Sequence, residues 1–117
     1  MTPATVKASY RRAIDQAGEP LTVRRYTGAG ASRPRVDVSV RGRVVDYRPD
    51  ELVGTIQQGD RMIILLVEDL VAAQFPMPLR KGDKIVVRGR ELNIEDPDDN
   101  TRRVAGVLIA YELRARG

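Results

Sequence analysis

The spacing of apolar residues changes near the start of the chain from a helical period to a strand period. An apolar stripe at intervals of three and four predicts an amphipathic helix over residues 2–17. The stripe consists of Val6, Tyr10, Ala13, Ile14 and Ala17. Thr2-Pro3 supplies a capping hydroxyl and a proline at the first helical position. We expect Gly18 to end the helix in the left-handed conformation, with Pro20 preventing its continuation.

Beyond Pro20 the pattern predicts strands separated by two long loops. Apolar and polar residues alternate up to Tyr26 and again from residue 36 to residue 40. Between these strands lies a loop over 28–35, rich in glycine and arginine. The apolar phase changes near Gly42, which predicts a bulge or bend in a strand that reaches Tyr47. The second long loop covers 47–60.

The rest of the chain continues the β pattern and defines the fold class. Residues 62–67 are all apolar and predict a central strand buried on both faces, followed by a short helical turn over 68–73. A tight hairpin is expected around Arg88-Gly89, then an acidic turn over 95–100 and a last strand over 105–113. One helix and about six strands predict a mainly β single domain over 1–117, an antiparallel β-barrel or sandwich spanning 20–115.

Composition narrows the function classes. The 117 residues contain no cysteine and no histidine, which excludes thiol nucleophiles, cysteine metal sites and the commonest general base. No base stands beside a nucleophile, and no glycine-rich phosphate loop is present, so we expect no enzyme, no catalytic or metal site and no cofactor. No apolar run matches a signal peptide or a membrane helix, which predicts a cytoplasmic chain without membrane contact.

The basic residues are unusually rich in arginine. The formal net charge is +4, with seventeen arginines and three lysines. Two explanations fit this composition: codon bias in a GC-rich genome, or a surface that binds phosphates or protein partners. A small arginine-rich barrel also fits a nucleic-acid-binding module. The scarcity of exposed aromatic residues disfavours stacking on single-stranded bases, whereas contacts to the phosphate backbone need no aromatics.

Four segments together resemble the neck proteins of tailed phages. They are residues 54–61 (GTIQQGDR) ahead of the apolar strand, the hairpin 81–89 (KGDKIVVRG), the segment 111–117 (YELRARG), and the helix that precedes 23–25 (VRR). The resemblance covers nearly the whole chain. The family is the head-tail connector group, and within it the head-closure, or stopper, proteins.

This resemblance implies a mechanical function. Head-closure proteins are small β-barrels that form a ring, seal the portal channel after DNA packaging and dock the tail. The implied partners are other copies of the chain, a portal or adaptor ring above and a tail-completion protein below, with non-specific contact to packaged double-stranded DNA. The implied location is the virion neck, after synthesis in the cytoplasm of the bacterial host. The alternatives are another neck component, either a tail-completion or adaptor ring, or a nucleic-acid-binding barrel.

Two sets of residues are candidates for contacts in such a ring. The loop 47–60 is the candidate channel or partner loop, and its contact residues are Tyr47, Arg48, Asp50, Thr55, Gln57, Gln58, Gly59, Asp60 and Arg61. The alternative is a turn with two solvated glutamines. The candidate DNA-facing or inter-subunit residues are Arg24, Arg25, Arg33 and Arg35. Their alternative role is ordinary surface charge.

Overall fold

Two helices and eight strands make up the chain as described by a computed structural model, which covers residues 2–28, 30, 34–46, 59–99 and 102–117. The helices are α1 (Pro3–Ala17) and α2 (Val67–Ala72). The strands are β1 (Glu19–Tyr26), β2 (Arg35–Asp46), β3 (Arg61–Leu66), β4 (Lys84–Val87), β5 (Arg90–Asp98), β6 (Arg103–Val104), β7 (Val107–Leu108) and β8 (Ala110–Arg116). Within the described ranges, neither helix combines the length and apolar character that crossing a bilayer requires.

Six of the strands close into an antiparallel barrel. Their order around the barrel is β1-β2-β3-β8-β5-β4, and β4 pairs with β1 to complete the circle. The mainly β prediction with an N-terminal helix is therefore confirmed, and the architecture is a barrel rather than a sandwich. Strands β6 and β7 form a separate two-stranded sheet.

The two longest strands each belong to two parts of the barrel. Strand β2 pairs with β1 as far as Gly42 and with β3 from Gly42 onward. Strand β5 pairs with β4 as far as Asn93 and with β8 from Asn93 onward. The barrel therefore consists of two four-stranded halves that share β2 and β5, and each shared strand changes partner near its middle.

Gly42 is required because a side chain at this position would clash with its neighbours, and not because the strand has a bulge there. The register of β2 continues without a shift through Gly42, so the predicted bulge is wrong; the irregular position lies in β5, between Ile94 and Asp96. Gly42 faces the interior at the change of partner. A Cβ atom there would lie 2.5 Å from Leu65 Cδ2 and 2.9 Å from the main-chain oxygen of Ile64. The glycine therefore lets the two halves of the barrel close upon each other.

The core has two layers, one on each face of β3. Inside the barrel, Ile63 and Leu65 pack with buried residues of every other barrel strand. On the outer face, Leu66 packs against Ile14 of α1, together with Ile109 and Ala110. The prediction that this strand is buried on both faces is confirmed only in part, because Met62 and Ile64 on the outer face are half-buried and Val67 already belongs to α2.

The ends of α1 follow the sequence signals only in part. The Thr2 hydroxyl oxygen accepts a hydrogen bond from the Thr5 main-chain N–H at 3.2 Å, as its capping role predicts. Gly18 is extended, with φ −88° and ψ 174°, so the left-handed cap is wrong. Its N–H donates to the Ile14 carbonyl oxygen at 2.7 Å, and a Cβ atom would lie 2.5 Å from that oxygen. The close approach explains the glycine and leads the chain directly into β1.

Three boundaries also differ from the sequence prediction. Arg35 is the first residue of β2, and the stretch expected as an acidic turn is largely the second half of β5, through Asp98. The last barrel strand begins at Ala110, because β6 and β7 form their own hairpin around Ala105-Gly106. The hairpin at Arg88-Gly89 is confirmed, with φ of +50° and +80° at its two turn residues.

Candidate functional site

The candidate contact residues are only partly within the described chain. Tyr47, Arg48, Asp50, Thr55, Gln57, Gln58 and Arg33 lie outside the described residues. Gly59, Asp60 and Arg61 are described at one end of the barrel, where β3 begins. Arg24, Arg25 and Arg35 are described on β1 and β2.

Asp60 anchors the end of the 47–60 connection to the barrel. Its side chain is fully buried, and its two carboxylate oxygens accept from Arg116 Nε at 2.8 Å and Arg116 Nη2 at 3.0 Å. Arg114 Nη1 lies 3.5 Å from the same carboxylate. These hydrogen bonds raise the pKa of Arg116 above its ordinary value. Because its carboxylate is buried and bonded to Arg116, Asp60 holds the start of β3 against the end of β8 and is not accessible to a partner.

The other end of the connection is held by the neighbouring ion pair. Arg61 stands opposite Asp46 across β2 and β3, and Arg61 Nη1 donates to Asp46 Oδ1. Gly59 has φ +93°, a conformation that glycine adopts at little cost, and allows the sharp turn that precedes Asp60. The described residues on either side of the 47–58 segment therefore include two, Asp46 and Arg61, at paired positions of neighbouring strands.

Arg25 closes the opposite end of the barrel from the inside. Its side chain is 12 % exposed, and its guanidinium donates to Asp83 from Nε at 2.9 Å and from Nη2 at 2.7 Å. The same group donates to the carbonyl oxygens of Pro76 and Pro78 at 2.9 and 2.8 Å and lies 5.0 Å from the centre of the Phe75 ring. The hydrogen bonds with Asp83 raise the pKa of Arg25. Arg25 thus holds the 75–83 segment against the barrel.

Arg24 points to the outer surface and is also paired within the chain. It donates to Asp37 from Nε at 2.9 Å and from Nη2 at 3.1 Å, and to Glu91 from Nη1 at 2.8 Å. The bonds from Arg24 lower the pKa of Asp37, while bonds from Tyr26 and then Arg24 lower the pKa of Glu91. Arg35 Nε lies 3.3 Å from Asp37. Of the four predicted arginines, the three that the structure describes are each paired with a carboxylate: Arg24 and Arg35 share Asp37, and Arg25 pairs with Asp83.

A basic cleft at the Asp60 end was not predicted from the sequence. It has a volume of about 170 Å³ and is lined by Arg61, Val87, Arg88, Arg90 and Leu92. The residue pattern 88–90 indicated only a turn, and Arg61 was assigned to the loop. Their convergence depends on barrel closure, which sequence spacing does not reveal. We refer to these five residues as the arginine cleft.

A larger cleft of about 490 Å³ lies where α1 and α2 meet β1 and β2. Its polar lining includes Arg11, Arg41 and Asp69. Arg11 bonds both Asp69 and Glu68, which raises its pKa, and Arg41 Nη2 donates to the Gly18 carbonyl oxygen at 2.7 Å. These contacts bind α1 to α2 and to β2, so the polar groups of this cleft serve packing between elements.

Among residues 2–28, 30, 34–46, 59–99 and 102–117, no group of three or more acidic, histidine or cysteine side chains could hold a metal ion. In comparisons with known proteins, no family model matches this chain and no curated protein matches its sequence.

Proposed function

We propose that this chain is a structural protein of a tailed-phage or prophage virion, a ring-forming head-closure connector. In this role it seals the portal channel after DNA packaging and docks the tail. Copies of the chain form the ring, with a portal or adaptor ring above and a tail-completion protein below. The protein is made in the bacterial host cytoplasm and resides in the virion neck. The resemblance of residues 54–61, 81–89 and 111–117 to head-closure proteins is what suggests this class.

The observation that carries the proposal is that the described residues flanking the 47–58 segment are paired at one end of a closed barrel. These pairings are the Asp46–Arg61 ion pair and the buried Asp60–Arg116 contact. A long connection on a rigid scaffold is the usual place for binding residues. In a closed ring, each weak contact between neighbouring copies is repeated at every interface. This arrangement supports a loop whose function is contact with other proteins or with the channel.

The first test is electron microscopy of particles made without this gene. We expect heads that have lost their DNA beside free, complete tails. Normal tailed virions would refute the proposal. Heads that retain DNA but lack a properly finished tail would instead support the tail-completion alternative.

A loop variant tests the role of the 47–58 segment within that function. Replacing Gln57 and Gln58 by alanine leaves Asp60 and its anchor in place, so we expect a folded barrel but a large loss of infectious titre. The matched control is Gln16→Ala, at an exposed position of α1. A normal titre for the Gln57/Gln58 variant would refute the loop's role, and an equal loss in the Gln16→Ala control would attribute the effect to something other than the loop.

A further inference from the structure

The arginine cleft has the chemistry of a phosphate-binding site. We propose that it binds a phosphate group of the duplex DNA backbone through Arg61, Arg88 and Arg90. Guanidinium groups form planar, bidentate hydrogen bonds to phosphate oxygens and stay charged at every physiological pH. The inference deepens the head-closure proposal, on which it rests, because it assigns the DNA contact that the resemblance implies to three residues, of which Arg88 and Arg90 were not among the predicted contact residues.

The volume of the cleft defines the size of its ligand. At about 170 Å³ it is smaller than the 300–1,000 Å³ typical of sites that enclose a whole small molecule. A site of this size suits one oxyanion group that projects from a larger molecule. A backbone phosphate projects in this way, with its sugar and base left outside.

Each of the three guanidiniums retains donors for a ligand. Arg61 Nη1 donates to Asp46, Arg88 Nη2 donates to Glu19 at 2.7 Å, and Arg90 Nη2 donates to the main-chain oxygen of Gly117. Within the described part of the chain, each of these contacts uses one of the three side-chain nitrogens. The three cations face two carboxylates, Asp46 and Glu19, and the main-chain oxygen of Gly117.

The position of Arg88 gives an independent indication. It is the first residue of a two-residue hairpin turn with φ +50°, where asparagine, aspartate or glycine is favoured. A left-handed conformation costs a non-glycine residue roughly 1–2 kcal/mol. The Arg88 side chain is 65 % exposed, so packing in the core does not require an arginine there. A role in binding accounts for an arginine at a position that the turn itself disfavours.

The test is binding of a fluorescein-labelled DNA duplex, measured by fluorescence anisotropy over a series of salt concentrations. The variant Arg88→Asn/Arg90→Gln removes two charges while placing a favoured residue in the turn. We expect each lost contact to weaken binding about fivefold, as one charge pair at 4 Å in water does. The slope of log affinity against log salt should fall by about 1 per arginine.

The matched control is Lys7→Gln/Arg12→Gln on α1, which changes net charge by the same amount at a distance from the cleft. An equal loss of affinity in the control would overturn the site, because it would show diffuse attraction. Absence of DNA binding by the unaltered protein would overturn it as well. Neither result would alter the particles that form when the gene is deleted, so this proposal and the head-closure proposal fail separately.

A second measurement separates DNA from free phosphate. Inorganic phosphate and pyrophosphate are titrated into isotope-labelled protein, and the amide shifts of residues 61 and 88–90 are followed by NMR. Saturable shifts with either anion, together with the DNA result, support a phosphate site that serves the backbone. Saturable shifts without DNA binding would overturn DNA as the ligand.

Discussion

Removing Arg25 tests the claim that one inward guanidinium closes an end of the barrel. Arg25→Ala leaves the Asp83 carboxylate, 6 % exposed, with a single remaining hydrogen bond from the Arg80 main-chain N–H. It also removes the donors that satisfy the Pro76 and Pro78 carbonyls. Breaking one partner of a buried pair costs about 3–5 kcal/mol. Against a total stability of about 5–15 kcal/mol, this is a large fraction.

The assay is urea unfolding followed by circular dichroism, with a double-mutant cycle. Asp83→Ala should cost about 2–3 kcal/mol, since Arg25 keeps its two carbonyl partners. The double variant should cost little more than Arg25→Ala alone, because neither charge is then left unpaired. The expected coupling energy is about 2 kcal/mol.

Arg24→Ala is the matched control, one residue earlier on the same strand. Its carboxylate partners lie on the outer surface, where exposed ion pairs contribute about 0.2–1 kcal/mol each. If Arg25→Ala destabilises the protein no more than Arg24→Ala does, or if the cycle shows no coupling, the closure argument is wrong.

Three further predictions concern the fold. Gly42→Ala should destabilise the barrel by about 2–3 kcal/mol in urea unfolding, since its new methyl group meets core side chains and backbone; Gly106→Ala, with open space around it, should cost only about 1 kcal/mol. Ile14→Ala should cost about 2–5 kcal/mol and reduce the hydrogen-exchange protection of α1, so unchanged protection would refute its anchoring role. The pKa of Asp37 is lower in the folded than in the unfolded protein. This difference stabilises the fold at any pH above the unfolded-state pKa, and the contribution is lost as pH falls through the folded-state pKa. Arg24→Gln should therefore lower Tm near neutral pH, and this difference should shrink as pH falls below the ordinary pKa of aspartate; a difference that stays constant with falling pH would contradict the pairing.

Local signals in the sequence were sufficient for most elements. The helix, the alternating strands and the Arg88-Gly89 hairpin depend on neighbours a few residues apart, which periodicity and turn chemistry report directly. The bulge predicted at Gly42 was wrong because a local pattern was misleading. The side chain of Val45 is half-buried on the outer face opposite Met62, so its apolar character mimicked a change of phase that the backbone does not make.

Long-range pairing decided what the sequence missed at the candidate site. The partners of Asp60 and Arg25 lie on strands and turns far along the chain, and no spacing rule connects residue 60 to residue 116 or residue 25 to residue 83. The acidic stretch around Asp96 was assigned to a turn because of its charges. Pairing with β8 overrides that local preference and extends β5.

The place of β8 in the barrel has a kinetic consequence. It lies between β3 and β5, so both of those strands keep an unpaired edge until residues 110–116 have been made. The hairpins β1–β2 and β4–β5 can form from nearby residues, whereas closure must wait for partners distant in sequence. During synthesis the chain therefore carries two open strand edges, which are sites of aggregation. The nascent chain therefore loses both open strand edges only after β8 has left the ribosome and paired with β3 and β5.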